Sequence, residues 1–150
     1  MAKDYTEQRK IDNMVYAVKA ELANHGIITD FVCNADGTCK TELTVISVNG
    51  KNIKKRVKIK KNTQGDYRWF DEINSVNRFG VDNNHIYVLV DEFDQLHIVP
   101  SRAYKNSIEA GHYEWLISYG KNGKKHNDNP KRNFYDFNND FLNAFEFFSI

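Results

Sequence analysis

The amino-acid sequence predicts one α+β domain, a central mixed β-sheet flanked by an N-terminal and a C-terminal helix. Three observations carry that expectation. Near the start, Ile11, Met14, Val15, Val18 and Leu22 recur at three- and four-residue spacing, which makes one apolar helix face. Two β-rich runs, Thr41–Val48 and Lys51–Lys61, are separated by Asn49-Gly50, the pair best suited to a two-residue hairpin turn because both positions accept positive φ. The 150 residues, 41% of them hydrophobic, supply one core, and no repeat or linker divides them, so 1–150 reads as a single unit.

The elements follow in order. Asp4 with Glu7 three residues later resembles a capping box for the first helix, and Gly26 supplies its stop. Ile27 to Cys33 reads as a short strand running into an Asp36-Gly37 turn. In Lys51–Lys61 the period of two puts Ile53, Val57 and Ile59 on one face, with Lys55 and Lys61 in the same register. Lys54, Arg56, Lys58 and Lys60 then form a row on the other face. Gln64-Gly65-Asp66 is a turn, Tyr67 to Phe70 a strand, and Asp71 to Asn84 reads as polar and irregular. His85–Val90 and Gln95–Val99 form a second hairpin around Asp91 to Asp94. Ser101 caps a short helix reaching about Ala110, Tyr113–Tyr119 alternates like a strand, and Gly120–Pro130 is a loop. Phe137, Phe141, Phe145 and Phe148 lie at helical spacing, so a closing amphipathic helix is expected. Its aromatics are most simply core. The alternative is a homodimer interface, because eight of the last seventeen residues are Phe, Tyr or Leu.

No stretch reaches the roughly 18 apolar residues of a membrane span, and Met1–Lys10 lacks the apolar core of a signal peptide. A cytoplasmic location and no membrane partner are therefore expected. Cys33 and Cys39 are too few for a disulfide scaffold or a four-ligand zinc site, and free thiols are expected. The formal net charge of +1 hides an asymmetry: seven of the eleven residues from Lys51 to Lys61 are basic and none is acidic. The rest of the chain carries 14 basic against 20 acidic residues, a net −6. Lys54, Arg56 and Lys58, with Arg68 and Trp69 nearby, form a candidate nucleic-acid surface of phosphate-binding cations and a base-stacking aromatic. The competing reading makes Trp69 core and the lysines guards of a strand edge.

Glu42 in Thr41-Glu42-Leu43 and the run Val57-Lys58-Ile59-Lys60 sit in a suggestive order. A helix and a strand come first, then the hairpin, Tyr67-Arg68-Trp69-Phe70, Ile86–Val90 and His97–Ser101. This arrangement, over most of residues 5 to 101, resembles the PD-(D/E)xK nuclease superfamily with its restriction-endonuclease-like fold. In that family an acid opens the second strand, and an acid or Gln, one spacer and a Lys follow the hairpin. The resemblance implies Glu42 as metal-binding and catalytic acid and Lys60 as catalytic lysine. Lys58 stands where the second acid is expected. It removes one carboxylate ligand of Mg²⁺ and sets a cation where the dication would sit, so the motif is degenerate and no bound Mg²⁺ is expected.

The leading expectation is therefore a nucleic-acid-binding protein, for DNA or RNA, with a nuclease-like fold and a degenerate metal site. One alternative is an active Mg²⁺-dependent endonuclease hydrolysing phosphodiesters, with Glu7 or Asp36 supplying the missing ligand. Another is a non-catalytic interaction module using the aromatic C-terminal helix. His126-Asn127 resembles the start of an HNH nuclease motif, but no histidine follows it, and His85 and His97 are expected to be packed or hydrogen-bonded on strands.

Overall fold

The turn at Asn49-Gly50 forms as its residues require. In the computed structural model, which describes residues 5–62, 68–119, 131–136 and 138–149, Asn49 and Gly50 have φ of 50° and 83°. That mirror-image turn matches the twist of the strands it joins. These are β2 (Cys39–Val48) and β3 (Lys51–Lys61), paired antiparallel with Glu42 opposite Lys58 and Thr44 opposite Arg56. β1 (Ile27–Cys33) pairs antiparallel with β2. β3 pairs parallel with β5 (His85–Val90), and β5 antiparallel with β6 (Leu96–Pro100). The sheet order is β1-β2-β3-β5-β6. The lysine-rich β3 is thus the central strand, and the edge-guard reading of its lysines is corrected.

Both faces of the sheet are covered. On one, Val57, Ile59, Ile86, Val88, Val90, Leu96 and Ile98 meet Val15, Val18 and Leu22 of α1 (Thr6–Asn24). On the other, Tyr87, Leu89 and Val99 pack under Val76 and Phe79 of α2 (Ile73–Phe79) and Tyr104 and Ile108 of α3 (Ser101–Tyr119). Trp69 of β4 (Arg68–Glu72) and Phe134 of β7 (Lys131–Tyr135) complete that second core, the two strands forming a separate antiparallel pair. Each fully buried aliphatic side chain contributes about 1.5–3 kcal/mol relative to exposure. Lys55, in the α1-facing register, is buried, and its ammonium donates to the Asn83 carbonyl at 2.6 Å. Burial pushes its pKa down, against the opposing pull of Asp82.

Several expectations change. α1 starts at Thr6 behind Tyr5, with no side-chain cap, and Glu7 pairs with Lys10 at 3.2 Å instead. Within Asp71–Asn84, read as irregular, β4 runs on to Glu72 and α2 follows, with Ile73, Val76 and Phe79 on one face before Gly80 (φ 121°). α3 continues through Tyr119 and absorbs the strand expected at Tyr113–Tyr119. Packing of Tyr104 and Ile108 pins the helix start, and elongation from a fixed start costs little. The closing helix does not form. After β7 the chain turns at Asn139 and Asn143, both at positive φ (56° and 53°), and ends in a 3₁₀ turn over Phe145–Ser149. Asp136 fixes the first turn by accepting the Asp140 and Phe141 amides. Phe134, Ala144 and Phe148 are buried within the same chain, so the helix on which a homodimer was expected is not there.

Asp4, the Gln64-Gly65-Asp66 turn, Tyr67, the Gly120–Pro130 loop with His126, and Phe137 lie outside the described residues. Cys33 and Cys39 are free thiols on opposed positions of β1 and β2. No described helix is long and apolar enough to cross a membrane.

Candidate nucleic-acid interface

A row of side chains crosses the sheet on the face that carries α2. Glu42 lies opposite Lys58, and Lys58 opposite Tyr87, so carboxylate, ammonium and phenol are neighbours on one side of three adjacent strands. The cation row runs at right angles to this along β3. Lys54 and Arg56 are exposed, and Lys58 and Lys60 are half-buried, as the two-residue period requires.

The partners of these cations differ. Arg56 donates from Nη2 to Glu42 Oε2 at 3.3 Å, and its Cζ lies 5.2 Å from the centre of the Phe79 ring. Lys58 Nζ stands 5.9 Å from the same ring and makes no ion pair among the described residues. Lys60 is closed off, with Nζ 2.9 Å from Asp71 Oδ2 and donating to the Phe70 carbonyl at 2.9 Å. From α2 the exposed Arg78 reaches back to Ser75 Oγ at 3.1 Å. Glu42, Arg56, Lys58, Ser75, Arg78 and Phe79 together line a concavity of about 200 Å³. Three cations against one carboxylate leave it a net charge of +2.

Glu42 and Lys60 therefore share a face of the sheet but not a pocket. Two of the expected nucleic-acid contacts also change. Trp69 is 2% exposed, donates from Nε1 to the Val90 carbonyl at 3.2 Å and lies 5.1 Å from the His97 ring. It is core, and no base can reach it. Arg68 opens β4 opposite Tyr135 and does not line the concavity. Neither acid expected to complete a metal site is near Glu42. Glu7 belongs to α1 across the sheet, and Asp36 accepts the Thr38 amide and hydroxyl within the β1–β2 turn.

The described residues do not assemble the Mg²⁺ ligand set that the resemblance implies. Among the described residues no three His, Cys, Asp or Glu side chains converge as metal ligands. Glu42 is held by Arg56, Asp71 by Lys60, and a lysine stands beside Glu42. Three cations and a hydroxyl form a set suited to an oxyanion.

Asp71, Ser75, Arg78 and Phe79 were absent from the sequence-based set because Asp71–Asn84 read as irregular. The available signal was the Ile73, Val76, Phe79 spacing ahead of Gly80. The Tyr87 phenol is held far above its ordinary pKa, first by burial, then by the charges of Asp71 and Glu42. A larger groove of about 960 Å³ lies on the α1 side, where Lys10 pairs with Glu7 and Lys61 with Asp94. Compared with protein-family models, curated proteins and solved structures, the chain matches none.

Proposed function

We propose that this chain binds nucleic acid, DNA or RNA, through the β3–α2 surface, holding phosphates without reading bases. One observation carries the reading. Lys54, Lys58 and Arg78 gather on one side of the molecule with no carboxylate partner among the described residues, while the chain outside Lys51–Lys61 is net acidic. Clustered cations of this kind gain free energy by releasing counterions from a phosphate backbone.

Fluorescence anisotropy with labelled single-stranded and duplex DNA and RNA at low salt tests this. The wild type is expected to bind at least one probe. Reversing two cations, Lys54→Glu with Lys58→Glu, is expected to weaken that binding by tenfold or more, since each charged contact is worth about 1.5–3 kcal/mol. Thermal melting is expected to hold, because both side chains face outward or into the open concavity. No binding of any probe at roughly 50 mM salt, where such contacts are strongest, would sink the proposal. Cleavage of the probes in Mg²⁺ or Mn²⁺, lost in Glu42→Ala, would instead make the chain an active nuclease.

A further inference from the structure

The concavity over Phe79 is more than a stretch of basic surface, because the cation row stops there. Along β3, Lys54 and Arg56 are exposed, Lys58 is half-buried, and Lys60 is capped by Asp71 and the Phe70 carbonyl. A phosphate chain lying on the row can advance from Lys54 to Lys58. Beyond that it meets a carboxylate, and β4 covers the way.

We infer that the pocket formed by Arg56, Lys58, Arg78 and Ser75 seats the terminal phosphate monoester of a nucleic-acid strand. The inference rests on the nucleic-acid reading and specifies which phosphate the site selects. Charge matching is the first support. The lining carries a net +2, whereas a backbone phosphodiester carries a single negative charge and a terminal monoester close to two near neutral pH. Donor geometry is the second. The guanidinium groups of Arg56, on β3, and Arg78, on α2, line the same concavity, and Lys58 adds a point charge. Ser75 accepts its bond from Arg78, which leaves its own hydroxyl proton to donate. Shape is the third. A volume of about 200 Å³ admits a phosphate group, and the Phe79 ring beneath Arg56 and Lys58 holds both cations at the floor. Glu42 completes the selection. Its carboxylate, also in the lining, pairs with Arg56 and disfavours a second phosphate beside the first.

The test uses the full chain and three single-stranded probes of one sequence, bearing a 5′-phosphate, a 3′-phosphate or hydroxyls at both ends. A phosphorylated probe is expected to bind about tenfold more tightly than the hydroxyl probe, the value of one additional charge-assisted contact. Inorganic phosphate is expected to compete this difference away. Arg78→Ala, on the exposed face of α2, and Lys58→Gln are each expected to bring the ratio of affinities towards one. The melting temperature of each variant distinguishes loss of the seat from loss of the fold. Equal affinity for all three probes overturns the inference and leaves the nucleic-acid reading standing. Binding of none overturns both. A preference that survives Arg78→Ala and Lys58→Gln in folded protein also overturns it, because the monoester would then be held elsewhere.

Discussion

Tyr87 sits on the Glu42–Lys58–Tyr87 row with its hydroxyl fully buried and unbonded among the described residues, and Tyr104, stacked on it with ring centroids 4.2 Å apart, is in the same condition. A buried hydroxyl without a partner forfeits its solvation, about 1–3 kcal/mol, while a phenyl ring in its place forfeits nothing. Tyr87→Phe is therefore expected to leave stability at pH 7 unchanged or raise it by about 1 kcal/mol, measured by urea unfolding. The alkaline limb reads the same burial. Both phenols are raised above their ordinary value, burial being the main cause, so the unfolded chain releases their protons near pH 10 while the native chain retains them. The unfolded state then binds fewer protons, and stability falls as pH rises past about 10. Tyr87→Phe is expected to make that fall shallower between pH 9 and 11, and an unchanged slope would contradict the burial. Some of this was legible. Alternation along β3 placed Lys58 and Lys60 on one face, but the acid that holds Lys60 comes from β4, which sequence spacing did not bring near.

At the scale of elements, strands and hairpins were legible where turn chemistry and period agreed, as at Asn49-Gly50 and His85–Val90. Misreadings arose where a tertiary partner decides. The tail has helical Phe spacing, yet a buried tie fixes it as turns. His97 Nδ1 meets Asp136 Oδ2 at 2.6 Å and its Nε2 meets Asp91 Oδ2 at 2.8 Å, all three side chains being almost fully buried. Both ring nitrogens are thus engaged by carboxyl oxygens, one from the β5–β6 turn and one from the tail. Asp91 also accepts the Phe93 and Gln95 amides, so one imidazole joins the β5–β6 turn to the tail. That tail in turn covers the edge of β6, through the Ile98 amide to Phe141 and the Asn143 amide to Leu96. His97→Leu is expected to cost about 3–5 kcal/mol, because it leaves two buried carboxyl groups without their shared partner. Urea unfolding measures it, and a loss below about 1 kcal/mol would mean that the tie does not hold the tail.

At the scale of the whole molecule, β3 and α2 present a cationic face, while the chain outside Lys51–Lys61 sums to −6. Salt dependence reads how many of those cations meet phosphate. The sequence row alone suggests Lys54, Arg56, Lys58 and Lys60. The structure exchanges one member, since Lys60 is held by Asp71 and Arg78 arrives from α2. Four contacts give a slope of log affinity on log salt of about −3.6 for duplex or −2.8 for a single strand. The number alone does not tell the two sets apart, but removing members does. Arg78→Gln is expected to make the slope shallower by about 0.7–0.9, the share of one phosphate. Lys60→Gln combined with Asp71→Asn removes the half-buried pair together, avoids an orphaned carboxylate, and is expected to leave the slope in place. Titrations at several salt concentrations, with melting curves for each variant, decide between the sets. If the Lys60 and Asp71 pair lowers the slope and Arg78→Gln does not, the phosphates follow β3 under β4, and the dead end at Lys58 is wrong.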